Sequence, residues 1–294
     1  MMKRVIFILS GGLGNQLFQI ARLHGSADKA QIYFPLPLDA ARNFDADELC
    51  SKCPHISKVR VRRSVLIDAR SKLQSYLSAH GVNLPKALRI KLINLEDNPY
   101  IFSNVETKSS LHSGYFQHWK YVYNVLPLIH EELDLHLAPL YSRIEEGLPS
   151  PNYGVIHFRR GDLVKYSDTM GLLTIEYFRD AIAQALKGIV GDIRLIVLTD
   201  DYEVARLNFP SPSAHIYGPT HFNSWESIAI MSKAKFVITS NSTFSWWGAL
   251  MCHLNGGKAY IPNPWFKNWI HNPGDAFCFP GFNLVESDFE RKDS

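Results

Sequence analysis

Hydrophobic and polar residues follow two alternating patterns in the second half of the chain. Short apolar runs rich in β-branched residues are separated by stretches in which apolar residues recur every three or four positions. The runs predict strands at 153–158, 194–199, 215–217, 236–239 and 258–261. The intervening stretches predict helices at 174–186, 202–207, 224–232 and 244–254. Strands that alternate with helices favour a parallel sheet, so we expect an α/β fold.

The first half begins in the same way, with a predicted strand at 4–9, a glycine turn, a helix at 16–27 and a strand at 31–34. Between residues 40 and 115 only a helical stretch at 71–78 stands out, and no order of elements is predicted. The segment 145–151 contains one glycine and two prolines, which stop a helix, so it predicts a linker. We therefore place the domains at 1–148 and 149–294.

Composition narrows the classes of protein to consider. The 294 residues suit two domains, and 46% hydrophobic with 20% charged residues is typical of a folded globular protein. The net charge of +3 comes without a long block of like charges, which argues against nucleic acid as a partner. Four cysteines and no secretory signal favour a cytoplasmic protein, and the apolar run at 5–9 is too short to cross a membrane.

Two small clusters leave alternatives open. One basic cluster is either a solvated strand edge or a patch for anionic lipids or a charged acceptor, which would place the protein peripherally on the inner face of the membrane. It consists of Lys58, Arg60, Arg62 and Arg63. Cys50 and Cys53 have the spacing of half a zinc site, but no second Cys/His pair is close in sequence, so we expect no metal and inert thiols.

The first candidate site is the glycine-rich segment Ser10–Gln16, between a predicted strand and a predicted helix. Glycines permit close approach of a ligand, and a helix N-terminus presents N–H groups to an anion. Leu17 replaces the third glycine of the dinucleotide fingerprint, which disfavours a redox cofactor. The alternative is a tight turn without a ligand. The candidate binding residues are Gly12, Gly14, Asn15 and Gln16.

The second candidate site is the segment His157–Asp162, at the end of a predicted strand. Alternation along the strand directs His157 and Arg159 to one face and Phe158 and Arg160 to the other. The carboxyl ends of parallel strands are where open α/β sheets bind ligands. Guanidinium groups match phosphate geometry, so this pair can stabilise a diphosphate leaving group without a metal. The alternative is a surface arginine paired with Asp162.

Two further segments follow predicted strands. Asp200 and Asp201 either bind ribose hydroxyls or a guanine edge, or cap the next helix. The segment Thr239–Gly248 combines small polar residues with a helix start, which suits a phosphate. Its two tryptophans either pack against the core or stack on a base or sugar. The candidate binding residues here are Asn241, Ser242, Thr243 and Phe244.

Together these segments resemble the family 11 glycosyltransferases, the bacterial α-1,2-fucosyltransferases. The matching pieces follow the family's order, while residues 40–110 have no match; they are Gly11–Gln19, Gly114–Gln117, His157–Asp162, Thr199–Asp201 and Ser240–Ala249. The resemblance implies a GT-B fold, in which two Rossmann-like domains face each other across a cleft. The N-terminal domain would bind the acceptor and the C-terminal domain the donor.

The resemblance also implies the reaction. GDP-β-L-fucose would be the donor, a galactose-terminated surface glycan the acceptor, and the transfer would invert the anomeric carbon without a required metal or other cofactor. His157, Arg159 and Arg160 would hold the nucleotide, with Arg159 at the β-phosphate, and Ser242, Thr243 and Phe244 would line the phosphates and base. A related GDP-sugar such as GDP-colitose, or a subunit that binds the nucleotide sugar without turnover, remains an alternative.

Two positions depart from related fucosyltransferases. A carboxylate that contacts guanine would fall at Ser227 here, and Glu226 is one residue away. A catalytic glutamate ten residues after the motif's histidine would fall at Ser167, which Asp168 follows. Asp162 and Asp168 are therefore the candidates for the general base, and a solvated loop aspartate is the alternative interpretation of Asp168.

Overall fold

A computed structural model of the chain describes residues 5–8, 11–24, 30–34, 62–63, 92–94, 100, 102, 110–209, 214–268 and 273–291. The chain divides into two compact units, Met1–Glu132 and Leu133–Ser294. The division falls inside a helix that spans Leu126–Gly147. The sequence-based boundary at residue 148 coincides instead with the end of that helix.

The described part of the first unit contains a parallel five-stranded sheet with the order β3-β2-β1-β5-β4. Helix α1 (Leu13–His24) follows β1, and helices α2 (Trp119–Tyr123) and α3 (Leu126–Gly147) follow β5. Helix α1 is buried along nearly its whole length, which places it in the core of this unit. The strands are β1 (Val5–Ile8), β2 (Ala30–Phe34), β3 (Arg62–Arg63), β4 (Leu92–Asn94) and β5 (Ser110–Ser113).

The second unit contains a parallel six-stranded sheet with the order β11-β10-β9-β6-β7-β8 in its described residues. Central strand β6 is buried over its full length because sheet and helices cover it on every side. The strands are β6 (Tyr153–Phe158), β7 (Arg194–Thr199), β8 (Ala214–Tyr217), β9 (Phe236–Ile238), β10 (Lys258–Asn263) and β11 (Asn283–Glu286).

The helices of the second unit alternate with its strands. A short 3₁₀ helix, Gly161–Tyr166, follows β6. Thr174 caps helix α4, because its side chain accepts a hydrogen bond from the Tyr177 N–H. The α-helices are α4 (Ile175–Leu186), α5 (Tyr202–Asn208), α6 (Ser224–Lys233) and α7 (Thr243–Leu254).

Each sheet has a switch point, the place where successive strands of the chain lie on opposite sides of one another in the sheet. In the second unit the chain proceeds from β6 through β7 to β8 on one side, and from β9 through β10 to β11 on the other. In the first unit β2 and β3 lie on one side of β1, and β5 and β4 on the other. Loops after the strands diverge at such points and leave a crevice at the carboxyl ends, where α/β sheets bind ligands.

The predicted α/β class and its two Rossmann-like units, the components of a GT-B fold, are confirmed. Helix α3 and strand β11 were not predicted. The helical stretch at 71–78, Cys50, Cys53, Lys58 and Arg60 lie outside the described residues, whereas Arg62 and Arg63 form β3. Within the described ranges, no helix is both long and apolar enough to span a membrane.

Candidate functional site

The candidate site lies at the switch point of the second unit, where β6 and β9 end side by side. The Ser240 hydroxyl donates a hydrogen bond to the His157 carbonyl at 2.5 Å and accepts one from the Arg159 N–H at 2.9 Å. The Ser240 N–H also donates to the His157 carbonyl, at 3.1 Å. These bonds fix the segment after β6 to the segment after β9, so the two sequence motifs form one site.

The Arg159 guanidinium is held by groups from both motifs. Its Nη1 donates to the Ser242 hydroxyl at 3.0 Å, and its Nε and Nη2 donate to Asp162 Oδ1 at 3.1 and 2.6 Å. The Arg159 side chain remains 29% exposed and that of Asp162 57% exposed. The fork is therefore oriented at the sheet edge, and part of its charge still faces solvent.

The neighbouring Arg160 lies on the other face, as the alternation predicted, and is paired within the protein. Its Nη1 and Nη2 donate to the two carboxylate oxygens of Glu290, its Nε lies 3.7 Å from Asp201 Oδ2, and its guanidinium lies over the Phe158 ring. The hydrogen bonds that Arg160 donates to Glu290 are the main cause of its raised pKa. Both Nη atoms of Arg160 are thus hydrogen-bonded to Glu290, while its buried Nε lies near Asp201 without a hydrogen bond.

Glu290 reaches this position through the C-terminal segment. Phe289 forms an antiparallel bridge with Leu173, and the Glu290 N–H donates to the Leu172 carbonyl at 2.8 Å. The Lys267 ammonium donates to the Glu290 carbonyl at 2.9 Å. Sequence analysis missed Glu290 because no local pattern marks a carboxylate that lies 130 residues from its arginine.

The two aspartates after β7 both stabilise local structure. Asp201 accepts a hydrogen bond from the Val204 N–H at 3.3 Å and caps α5, which confirms the capping interpretation for this residue. Asp200 Oδ1 accepts from the Arg160 and Gly161 N–H groups at 2.8 and 3.2 Å. A Cβ on residue 161 would lie 2.3 Å from Asp200 Oδ2, so this turn requires glycine.

The loop that carries Asp168 is tied to the site by Asn241. The Asn241 amide donates to the Met170 and Gly171 carbonyls at 3.1 and 3.2 Å, and the Asn268 N–H donates to the Thr169 carbonyl at 2.9 Å. Asp168 itself is exposed. The loop therefore has a defined backbone, and Asp168 lies on its exposed part.

Four buried polar atoms at this switch point have no hydrogen-bond partner in the protein: His157 Nδ1, Thr239 Oγ1 and Asn241 Oδ1, and, on the other face, Arg160 Nε. Buried polar groups are normally satisfied, so such a group of exceptions indicates a ligand or ordered water. Burial, followed by the charge of Arg159, lowers the pKa of His157 to about 3, so its imidazole is neutral. Its ring lies 5.5 Å from that of Phe244.

Helix α7 begins beside these atoms. Ser242 is its N-cap, Thr243 its first residue, and Phe244 faces the histidine, so the positive end of the helix dipole adds to the charge of the arginine fork. Trp246 and Trp247 are fully buried, and Trp246 Nε1 donates to the Phe277 carbonyl at 2.8 Å. The packing interpretation of the two tryptophans is confirmed.

Glu226 has a different environment at the start of α6. Its Oε2 accepts from the Asn223 N–H at 2.9 Å in a capping box, and its Oε1 lies 3.1 Å from Arg143 Nη2. Both oxygens are used, and the residue is only 4% exposed. The contacts assign this carboxylate to the helix start, and none of them indicates a role towards guanine.

In the first unit, side-chain amides join the glycine turn to the segment after β5. Gln117 Nε2 donates to Asn15 Oδ1 at 2.6 Å, and Gln19 Nε2 donates to the Gly114 carbonyl at 2.9 Å. Gln16 Nε2 donates to the Gly11 carbonyl at 2.9 Å and the residue is 1% exposed. Gly14 is buried and Gly12 exposed, so Gly12 is the one of these four candidates that fully faces outward.

The chain is similar to several known glycosyltransferases. The model of Glycosyl transferase family 11 matches residues 86–272. An alpha-1,2-colitosyltransferase from Escherichia coli is 24% identical over 282 residues, covering 90% of this chain and 93% of that protein. The O-antigen biosynthesis glycosyltransferase WbnK from Escherichia coli is 29% identical over 295 residues, which cover 88% of this chain and 93% of that protein. A solved glycosyl transferase family 9 structure from Veillonella parvula is 13% identical with a TM-score of 0.49. The match covers 99% of this chain and 88% of that one.

The neutral, buried His157 predicts a pH dependence of stability. The unfolded imidazole has its ordinary pKa of about 6.5, so below that pH the unfolded chain binds a proton that the folded chain does not. The contribution of neutral His157 to the free energy of unfolding is fully present above pH 6.5 and is lost as the pH falls towards 3. Below pH 6.5 we expect the free energy of unfolding to fall more steeply in the wild type than in His157→Gln, by up to ~1.4 kcal/mol per pH unit. Urea unfolding at each pH measures this difference. The same change in the free energy of unfolding with pH in both proteins would contradict it.

Proposed function

Because the chain belongs to glycosyl transferase family 11, we propose that it transfers a deoxyhexose from a GDP-sugar to a glycan hydroxyl, with L-fucose as the sugar. The observation that carries the proposal is the group of three unsatisfied buried polar atoms beside the Arg159 fork, at a switch point. The motif resemblance supports GDP-β-L-fucose as donor and a galactoside as acceptor. The similarity to WbnK supports a role in O-antigen biosynthesis.

In the proposed reaction, the acceptor oxygen bonds to the anomeric carbon as the bond from that carbon to the β-phosphate oxygen breaks. Attack from the opposite face inverts the anomeric centre, and GDP leaves with the bonding electron pair. Negative charge therefore grows on the β-phosphate, where Arg159, the Ser242 hydroxyl and the N-terminus of α7 are grouped. A metal ion is not required in this proposal because these groups neutralise the charge.

The acceptor hydroxyl must also lose its proton. Asp162 is held through Oδ1 by Arg159, so we assign it to the orientation of that fork. Asp168 is exposed on a loop anchored at the same sheet edge by Asn241, and we propose it as the general base.

A second candidate donor is GDP-colitose. The relative named as an alpha-1,2-colitosyltransferase covers 90% of this chain, and this observation favours colitose as the alternative sugar. Both donors release the same leaving group, GDP, so the Arg159 site suits either of them. The choice between the two donors depends on the residues around the sugar ring.

The donor is tested by incubating the protein and a β-galactoside with GDP-fucose and GDP-colitose in equal amounts, in the presence of EDTA. We expect a product whose mass corresponds to added fucose, the sugar that the motif resemblance supports. We expect turnover to continue in EDTA, because protein groups neutralise the charge of the leaving group. A colitosylated product would establish the alternative. Turnover that stops in EDTA and returns with Mn²⁺ or Mg²⁺ would contradict the metal-free mechanism.

Arg159→Lys should lower kcat by about 100- to 1,000-fold, because a point charge cannot replace a planar fork on developing phosphate charge. Arg159→Ala should in addition weaken GDP binding, measured by calorimetry. Arg179→Lys is the matched control, since Arg179 is an exposed arginine of the same unit that pairs with Glu176 at 3.4 Å. Equal turnover in the Arg159 and Arg179 variants would assign Arg159 to an ion pair without a role in the reaction.

Asp168→Asn should lower the transfer rate by about 100- to 10,000-fold and remove the acidic limb of its pH profile, because the amide cannot accept the acceptor's proton. GDP affinity should be unchanged, since Asn241 holds the loop backbone through the Met170 and Gly171 carbonyls. An unaltered rate and acidic limb in this variant would exclude Asp168 as the base.

A further inference from the structure

A second exposed surface lies at the switch point of the first unit. Strands β1 and β5 are parallel neighbours, with Val5 opposite Ser110 and Phe7 opposite His112. The glycine turn follows β1 and the segment Gly114–Gln117 follows β5, so both lie at the carboxyl ends of adjacent strands. This is the position at which the second unit carries its Arg159 site.

Tyr115 is turned outward here by an unusual backbone. Phe116 has a φ of +52°, a conformation that a bulky residue rarely adopts, and its side chain is 1% exposed and packs edge-on against Tyr121. The surrounding contacts hold this conformation, because Gln19 donates to the Gly114 carbonyl and the His118 N–H donates to the Phe116 carbonyl at 2.8 Å. Tyr115 is 37% exposed between two buried residues.

The glycine turn forms the other side of the surface. Gly11 has a φ of +79°, and a Cβ there would lie 3.0 Å from Tyr115 Cε1, so the tyrosine ring lies close against the turn. Gly12 is exposed, and a Cβ on it would meet no atom within 4 Å. The tyrosine ring thus lies against Gly11, and the next residue of the turn, Gly12, has open space where a side chain would be.

The chemistry of this surface differs from that of the second unit. The side chains whose contacts build it are uncharged: Asn15, Gln16, Gln19, Tyr115, Phe116 and Gln117. A diphosphate is better matched by the Arg159 fork, whereas a neutral sugar ring suits an aromatic face with backbone polar groups beside it. Tyrosine also offers a hydroxyl to the sugar's hydroxyls.

We propose that Tyr115, Gly11 and Gly12 form a subsite that binds a pyranose ring of the glycan acceptor by stacking on the tyrosine. The inference rests on the proposed function, since it assumes a glycan acceptor. It assigns the outward face of the glycine turn to a neutral sugar instead of the anion that the sequence suggested for this segment. The subsite thereby contributes to the choice of acceptor.

The test compares steady-state kinetics of Tyr115→Ala, Tyr115→Phe and Tyr123→Ala with lactose as acceptor and the donor that the wild type uses. Tyr115→Ala should raise the KM for lactose by about 3- to 10-fold. The KM for the donor and the slow hydrolysis of donor by water should stay the same. Tyr115→Phe should keep most of the stacking. Tyr123 is the matched control, an exposed tyrosine of the same unit at 54% exposure.

A second variant covers the case in which Tyr115→Ala fails to fold. Gly12→Val adds a side chain into open space without a strained φ, so it should fold and raise the KM for lactose by obstructing the subsite. An unchanged lactose KM in both folded variants, or a rise confined to the donor KM, would overturn the proposal. Absence of GDP binding and donor turnover in the wild type would instead overturn the proposed function, so the two failures are distinguishable.

Discussion

The hydroxyl of Ser240 bridges the two central strands of the second unit at the point where their backbone pairing ends. Strands β6 and β9 pair through Val155 and Ile156, and beyond them the chain turns to opposite sides. Ser240 continues the connection by donating to the His157 carbonyl and accepting from the Arg159 N–H. Because this bond sets the backbone of Arg159, the position of the guanidinium fork depends on it, and so does the proposed neutralisation of the leaving group.

Two adjacent arginines have different environments because a strand alternates its faces. Arg159 contacts Ser242 and Asp162 and keeps part of its charge towards solvent. Arg160 lies over Phe158 and is matched by Glu290 and Asp201, so its charge is compensated inside the unit. One cation is thus paired with the C-terminal segment, and the other is the one to which the proposed function assigns the phosphate.

His157, Thr239 and Asn241 each have a buried polar atom without a partner in the protein. Leaving such an atom unpaired would cost about 1–3 kcal/mol, so a ligand or ordered water is expected to satisfy it. The helices and parallel strands around them are otherwise well satisfied, with capped starts at α4, α5 and α6. A ligand that supplies the missing partners would bind without first displacing protein contacts, which explains why these atoms lie at a switch point.

The sequence by itself determined the alternation of strands and helices, the faces of His157 to Arg160, and the turns that need glycine, because these follow from local periodicity and backbone sterics. It also linked the motifs to a glycosyltransferase family, which the family match confirms. Tertiary structure alone decided that Glu290 pairs with Arg160, that Glu226 pairs with Arg143, and that Tyr115 faces outward. Each of these outcomes depends on residues distant in sequence or on a rare backbone angle, and neither leaves a repeating pattern of hydrophobic and polar positions.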